Sequence, residues 1–283
     1  MAVGRKHRSR GTEKPRPYFD RRGARLYDIA FSWRRDREAE FTEKCVRRFG
    51  GKVPGRLLDM ACGGGTFLEE MRGRGWQVAG VDGSGPMLAQ ARKRLGPDVP
   101  LFQELMTEFR VRGRFDLATC WLDSLNYLLT NEDIIEHFRR VARALRRRGF
   151  YLLDLSFGSW CAEFWQQGGE DAKPALEWGW SGTRDGVLVY HHGCYGPPCD
   201  PLRHLATEHM HFLVRREGSD GSEEHRYQCW KRVLHPQEFA ALVSASGVFE
   251  PVAWFTGELD LSTTLAAAEG KGRGLVLLGK VGG

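Results

Sequence analysis

The sequence predicts an α/β fold: a mainly parallel sheet with helices on both faces, interrupted late in the chain by an antiparallel β insertion. Three observations lead there. From residue 55 to residue 156, short apolar runs alternate with amphipathic helical segments. Between 157 and 233 the strand-like runs follow one another with only turn-rich links. Helix and strand then resume from 235 to 281.

Taken in order, residues 1–25 read as a flexible, basic N-terminal arm. "SWRRDREAEFTEKCVRRFGG" is the first helix, with Ser32 as its N-cap, Phe41, Cys45 and Phe49 at helical spacing, and Gly50-Gly51 as its stop. "GRLLDMA" (55–61) is a buried strand, "TFLEEMRGRG" a helix, "WQVAGVD" (76–82) the second strand and "GPMLAQARKRLG" the next helix. "VPLFQ" (99–103), "RFDLATCWL" (114–122) and "FYLLDLS" (150–156) are strands three to five, with a capped helix over 131–149 before the last. In the insertion, "ALEWGWSG", "GVLVYHHGCY", "HLATEHMHFLVRR" and "EEHRYQCWKRV" are strands, linked in part by the turns "GPPCDPL" and "EGSDGSE". A helix over 235–247 and strands over 249–257 and 273–281 complete one α/β domain, 26–283, that surrounds a β insert, 157–233.

Composition narrows the class. With 283 residues, 41% of them hydrophobic, the chain can bury a sizeable core. No run approaches the roughly 18 apolar residues of a membrane helix, and the N-terminus lacks the apolar core of a secretory signal. These features predict a soluble, cytoplasmic protein without a membrane partner. The seven cysteines, odd in number and scattered, suit reduced thiols better than a disulfide framework. Net charge is +6, yet residues 1–25 hold nine basic and two acidic residues, +7, so the remainder carries −1. Basicity therefore belongs to the arm, which is a poor amphipathic presequence because of its Gly and Pro content.

"LLDMACGGGTF" (57–67) ends an apolar strand in an acidic residue and opens a helix through three glycines. Such a turn lets the backbone approach a ligand and presents free N–H groups. Asp82, at the end of the next strand, sits where its carboxylate could accept both hydroxyl hydrogens of a ribose diol, so the turn suits an adenosine-bearing cofactor. A dinucleotide fingerprint would require glycine at Leu68, and Asp59 would repel a pyrophosphate while tolerating an amino group and a sulfonium. S-adenosylmethionine fits these constraints.

"LLDMACGGGTF", "VAGVDGSGPML" and "FDLATCWLDSLNYL", in this order, resemble the motifs of class I S-adenosylmethionine-dependent methyltransferases of the small-molecule type, over roughly residues 18–156 and 234–281. The resemblance implies a Rossmann-like, doubly wound seven-stranded sheet in the order 3-2-1-4-5-7-6, with the β insertion after strand 5. It implies that Asp59, Ala61, Gly63 and Gly65 line the methionine end, Asp82 the ribose, and Gly83, Ser84 and Met87 the adenine side. The backbone around Cys120 and Trp121 would receive the amino group, and Tyr27 would fold over the cofactor. Where relatives often carry an acidic residue for the adenine amino group, this chain has Gln103-Glu104-Leu105-Met106, leaving Glu104 or the backbone of Met106 for that contact.

Methyl transfer from a sulfonium gains mostly from alignment, so a general base is optional. "WLDSLNY" places Asp123, Ser124, Asn126 and Tyr127 past strand four, either to orient substrate or to cap a turn. The resemblance favours the site for Asp123 and Tyr127. Phe157, Trp160, Phe164, Trp165, Trp178 and Trp180 could wall an aromatic pocket or form the insert's own core. Among His191, His192, Cys194, Cys199, His204, His209 and His211 no C-x-x-C spacing occurs, so no metal site is expected. His209 and His211 share a strand face and are candidate proton acceptors. The basic run 139–149 suits the solvated end of a helix better than a phosphate stripe. The leading expectation is a small-molecule methyltransferase, monomeric or homodimeric, with the insert as a substrate-selecting lid. The alternatives are an RNA methyltransferase using the arm, which the near-neutral body disfavours, and a non-catalytic protein that binds S-adenosylmethionine.

Overall fold

A computed structural model of the protein describes residues 20–33, 35–111, 114–158, 176–219, 221–263 and 272–282. Its central sheet contains β1 (Arg56–Met60), β2 (Gln77–Asp82), β3 (Leu101–Gln103), β4 (Phe115–Cys120), β5 (Leu145–Ser156), β10 (Phe249–Thr256) and β11 (Arg273–Lys280). The spatial order is β10-β11-β5-β4-β1-β2-β3, which is the predicted 3-2-1-4-5-7-6 order. Strands β1 to β5 run parallel, whereas β11 is antiparallel to both β5 and β10. A parallel sheet must be covered on both faces, which is why β1 reads as the continuous run "RLLDM", buried from Leu57 to Met60.

Helices α1 (Arg21–Ala30), α2 (Asp36–Arg48), α3 (Thr66–Gly73), α4 (Gly85–Leu95), α5 (Asn131–Ala144) and α6 (Pro236–Ser246) surround this sheet. One core joins α5 and α6 to the sheet through Phe138, Tyr151, Phe239 and Phe249. The other joins α2, α3 and α4 through Phe41, Phe67, Leu68 and Leu88. The insertion is a separate four-stranded antiparallel meander of β6 (Leu176–Arg184), β7 (Val187–Asp200), β8 (Leu205–Arg216) and β9 (Ser222–Arg232). A third core packs it against α1 through Leu26, Ile29, Phe31, Val189, Met210 and Phe212. At Gly182 any Cβ would lie 1.8 Å from the Ile29 carbonyl oxygen, so only glycine permits this backbone approach.

Several boundaries differ from the sequence reading. Arg21, Arg22 and Arg25 belong to α1, which Asp20 caps by accepting from the Gly23 N–H at 2.7 Å, so these arginines are not arm. Arg35 occupies the N-cap position of α2, and Ser32 lies in the preceding turn. The helix expected over 131–149 ends at Ala144, and β5 starts at Leu145. There the Arg146 guanidinium meets Asp116 at 2.8 Å and Arg148 takes a positive φ of 62°. "GPPCDPL" is not a turn through most of its length: β7 continues across a pairing shift to Asp200, and the reversal is 201–204. Residues 1–19, and with them most of the arm, lie outside the described residues, as do Trp160, Cys161, Phe164 and Trp165.

Candidate functional site

At the carboxyl ends of β1, β2 and β4 lies a cavity of about 320 Å³. The chain leaves β1 through Ala61, Gly63 and Gly65, all at positive φ, before α3 begins. This contorted turn aims the Gly63 N–H at Asp82 Oδ2, 2.8 Å away, while Ser84 N–H donates to Oδ1 at 2.8 Å. One buried carboxylate thus holds both turns and faces the cavity with its remaining lone pairs. Burial pushes the Asp82 carboxyl up, against the opposing effect of these two N–H donors.

Asp59 is buried at the cavity's inner end, where it accepts from Thr119 Oγ1 at 2.7 Å. Burial raises its carboxyl to about 7, opposed by the Thr119 hydrogen bond and by the positive charge of Arg35. Arg35 is 4% exposed, and its guanidinium lies 5.8 Å from the ring centres of both Trp33 and Trp121. Glu38 Oε1 stands 3.1 Å from Nε, an ion pair by distance that lacks hydrogen-bond alignment, and Nη2 is buried without a hydrogen bond. A buried carboxylate next to a buried guanidinium with an orphaned N–H group complements a zwitterionic amino-acid end. The residues present therefore fit S-adenosylmethionine. Arg35 was missed in the sequence because it sits amid "RRDRE", where one arginine looks like the next.

The structure sorts the cofactor candidates. Tyr27, Asp59, Ala61, Gly63, Asp82, Gly83, Ser84, Met87, Met106 and Trp121 line the cavity. Gly65 does not: a Cβ there would lie 2.9 Å from Leu95 and 3.2 Å from Ala91, so this glycine lets α3 pack on α4. Glu104 is turned away and accepts a hydrogen bond from the Arg110 N–H, which leaves Leu105 and Met106 on the cavity wall. The Cys120 side chain is fully buried beneath the site beside Tyr151, and burial pushes its thiol up.

Tyr27, Leu122 and Tyr127 also line a second cavity of about 510 Å³, under the insertion. Its size lies within the roughly 300–1,000 Å³ range of small-molecule sites. The aromatic side chains Phe31, Trp178, Trp180 and Tyr195 contribute to its wall, whereas Phe157 is buried with Phe239 and Trp254 in the main core. Asp123, at positive φ just past β4, accepts from the Tyr195 hydroxyl at 2.7 Å. Lys231 Nζ stands 3.3 Å from the same carboxylate oxygen and 3.7 Å above the Tyr127 ring centre. The Tyr127 hydroxyl donates to Glu208 Oε2 at 3.0 Å, and the Cys229 thiol approaches that oxygen at 3.2 Å. Burial raises the Glu208 carboxyl even with Lys231 nearby; burial alone would lower the Lys231 ammonium, but Asp123 and Glu208 reverse this and raise it. At another wall, Arg273 grips Asp154 through two hydrogen bonds, 2.7 and 2.6 Å.

Of the "DSLNY" cluster, Asp123 and Tyr127 face this cavity, and Ser124 lines the first. Asn126 instead donates to the Ser156 and Arg232 carbonyls, pinning the loop to β5 and β9. The histidine expectation is corrected: on β8, Glu208 and Met210 face the cavity, and His209 and His211 point to the opposite face. His209 Nε2 donates to the Pro197 carbonyl at 2.8 Å and Nδ1 accepts from Gln228 at 3.0 Å, while His211 Nε2 lies 3.3 Å from Glu224. A signal for the correct face existed, since Ala206, Glu208, Met210, Phe212 and Val214 form an apolar row with one carboxylate. Among the described residues no group of three or more His, Cys, Asp and Glu could hold a metal ion, and no helix is long and apolar enough to cross a membrane.

One acidic residue of α1 ties that helix both to the glycine turn and to the insertion. Asp28, 4% exposed, meets Arg94 at 3.0 Å and Arg184 at 2.5 Å, and Arg94 also donates to the Gly64 carbonyl. The glycine turn, α1 and β6 of the insertion therefore share a single ion cluster.

Residues 57–149 match the methyltransferase domain model. A protein of Geobacillus sp. (strain WCH70) assigned to the methyltransferases is 28% identical over 230 residues, 79% of this chain and 87% of its own. The dTDP-3-amino-3,4,6-trideoxy-alpha-D-glucopyranose N,N-dimethyltransferase of Streptomyces venezuelae is 42% identical over 78 residues, 28% of this chain and 32% of that enzyme. An S-adenosylmethionine-bound amino pentose methyltransferase from Micromonospora echinaspora superposes with a TM-score of 0.65 at 23% identity, covering 89% of this chain and 94% of that one. With the sheet order and the glycine turn, the matched domain makes this chain a class I methyltransferase. It is an S-adenosylmethionine-dependent enzyme of that class.

Proposed function

We propose that the protein transfers a methyl group to an amine nitrogen of a small molecule, with amino sugars as the leading acceptor class. The observation that carries this reading is the second cavity: aromatic surfaces suited to a sugar face surround half-buried Asp123 and buried Glu208, whose charge suits an amine. Relatives named for amino-sugar N-methylation support the acceptor class. S-adenosylmethionine supplies an electrophilic methyl on a sulfonium; Asp82 would hold the ribose, and Asp59 with Arg35 the amino and carboxylate groups. Tyr27 and Tyr127, common to both cavities, would align donor and acceptor and exclude water, and alignment of this kind can be worth effective molarities of roughly 10⁵–10⁸ M. The insertion, read as the lid over residues 157–233, would select the acceptor, and the arm would be dispensable.

The test is transfer of labelled methyl from S-adenosylmethionine to a panel of amino-sugar nucleotides, simple amines, phenols and bulk RNA. Label in an amine supports the proposal. Label confined to phenols, or to RNA in a manner abolished by deleting residues 1–19, would overturn it.

A further inference from the structure

The second cavity has a charge imbalance that methyl transfer itself does not require. Glu208 is buried and Asp123 half-buried, its side chain 25% exposed, and the one ammonium between them belongs to Lys231, 2% exposed. Lys231 lies close to Asp123, at 3.3 Å from Oδ2 and 3.2 Å from the backbone carbonyl. Tyr195 gives its hydroxyl to Asp123 as well. Asp123 is thus compensated, and Glu208 is left as the surplus carboxylate. Its neighbours in hydrogen-bond reach are the phenol of Tyr127 and the thiol of Cys229, both protonated groups whose hydrogens it accepts.

With Asp154 paired to Arg273 and Glu177 exposed at the rim, the trio of Asp123, Glu208 and Lys231 holds two carboxylates against one ammonium and is one positive charge short. Burying a lone charge is costly, so such a site recruits a cation or a proton. During methylation of an amine, both arrive: the acceptor enters as an ammonium, and one proton must leave nitrogen before its lone pair can attack. Tyr127 stands where this proton must go, because it lines the cofactor cavity and the acceptor cavity alike.

We propose that Glu208 is the proton acceptor of the reaction, reached through the Tyr127 hydroxyl, with Lys231 as the positioning residue that keeps Asp123 from competing. This inference rests on the amine reading of the acceptor. In the step, the acceptor N–H gives its proton to Tyr127 Oη while the Tyr127 proton moves to Glu208 Oε2. The freed nitrogen lone pair forms the N–C bond as the methyl–sulfur bond breaks, its electron pair remaining on sulfur. The phenol is regenerated, Glu208 ends as a neutral acid, and the positive charge that left sulfur stays on the product as a methylammonium, beside the paired Lys231 and Asp123. Release of that proton to solvent resets the site.

The groups facing Glu208 predict the pH behaviour. Lys231 and Cys229 on β9, Asp123 and Tyr127 on the loop after β4, Tyr195 and Cys194 on β7, and Tyr27 on α1 surround it. Below the pH at which Glu208 ionises, no base is present and turnover falls; above it, turnover reaches a plateau.

The experiment has two arms. In the first, the protein with S-adenosylhomocysteine bound is titrated from pH 5 to pH 9 by infrared difference spectroscopy against Glu208→Gln. A buried carboxylic-acid band that gives way to carboxylate within this range, and is absent from the variant, is expected. Glu208 protonated throughout, or ionised throughout, would overturn the proposal whether or not an acceptor is in hand. In the second, methylation of dTDP-3-amino-3,6-dideoxyglucose is followed. Glu208→Gln and Tyr127→Phe should each lose on the order of 10²–10⁴-fold in kcat, with KM for the cofactor unchanged, and the Glu208→Gln profile should lose its acid limb. The double variant should lose no more than either alone. Full turnover in Glu208→Gln, or additive losses, would refute the relay. A wild-type protein inactive on every amine would instead sink the acceptor reading, and the infrared titration would still decide the role of Glu208. If Glu208→Gln fails to fold, Tyr127→Phe and the wild-type titration carry the test.

Discussion

Replacing Asp82 by alanine tests the cofactor site where its geometry is tightest. The carboxylate accepts from the Gly63 and Ser84 N–H groups at 2.8 Å each, and it faces the cavity where a ribose would lie. Two effects separate. Binding loses the two hydrogen bonds that ribose hydroxyls would give a charged acceptor, each worth about 1.5 kcal/mol at the low end of its range. Together these amount to about 3 kcal/mol, or roughly a 150-fold rise in Kd for S-adenosylhomocysteine. Folding loses the acceptor of two buried N–H groups, about 1–3 kcal/mol each when stranded, but is relieved of a desolvated carboxylate that burial already disfavours. The net expectation is a folded protein with a modestly lower Tm and severely weakened cofactor binding. Calorimetric titration with S-adenosylhomocysteine and a thermal melt measure the two separately. Wild-type affinity in a folded Asp82→Ala protein would refute the ribose assignment, since no other polar contact could then have carried that energy.

Three further predictions follow from the same cavities. Arg35→Met should weaken S-adenosylhomocysteine markedly and leave methylthioadenosine, which lacks the amino-acid end, within about twofold; equal losses for both ligands would refute the carboxylate contact. Asp59 has its folded-state value raised to about 7, so its stabilising effect on the ligand-free protein is full below about pH 4 and is lost as pH rises through 7. An ammonium beside it would reverse the preference, so cofactor affinity should rise from pH 5.5 to 7.5, and an affinity that is flat over this range, or that is equally steep in Asp59→Asn, would count against the assignment. Asp28→Ala leaves Arg94 and Arg184 without their shared partner. Hydrogen exchange should then show the β6 amides losing the protection that S-adenosylhomocysteine confers in the wild type, whereas unchanged protection would mean that the ion cluster does not couple the glycine turn to the insertion.

The parts of this protein that were legible in its sequence are those fixed by local patterning. The strand–glycine–helix signature at 57–67 and the alternation of short apolar runs with longer amphipathic segments point to the sheet, because a parallel strand buried on both faces leaves a short, nearly continuous apolar run bounded by turn residues. The acceptor cavity was less legible, because its polar groups meet only through tertiary packing. Lys231 and Glu208 are 23 residues apart, on adjacent strands, and reach Asp123 and Tyr127 over a hundred and roughly eighty residues away. In sequence, Glu208 stands between Thr207 and His209, where the histidines attract notice by their chemistry although the strand's alternation puts them on the far face. Gly65 was misjudged for a related reason: one glycine turn serves two masters, with Gly63 presenting backbone to the cavity and Gly65 admitting α4, and the sequence shows both only as glycine.

The cofactor half is thus built largely from backbone groups, and the acceptor half from side chains. The glycine turn and Asp82 solve a constant problem, that of holding one cofactor, with backbone groups that few substitutions can replace. Asp123, Glu208 and Lys231 solve a variable one, placed on a loop and on the strands of an insertion that is attached through α1 and its Asp28 cluster and through Asn126, which joins β5 to β9. A change of acceptor can therefore draw on new side chains on β6 to β9 and the loop after β4, with the glycine turn, Asp82 and Arg35 left as they are. Exchanging Glu208 and Lys231 together for a neutral pair of similar size should, on this argument, abolish amine turnover while S-adenosylhomocysteine still binds; loss of cofactor binding in that double variant would show that the two cavities are not separable.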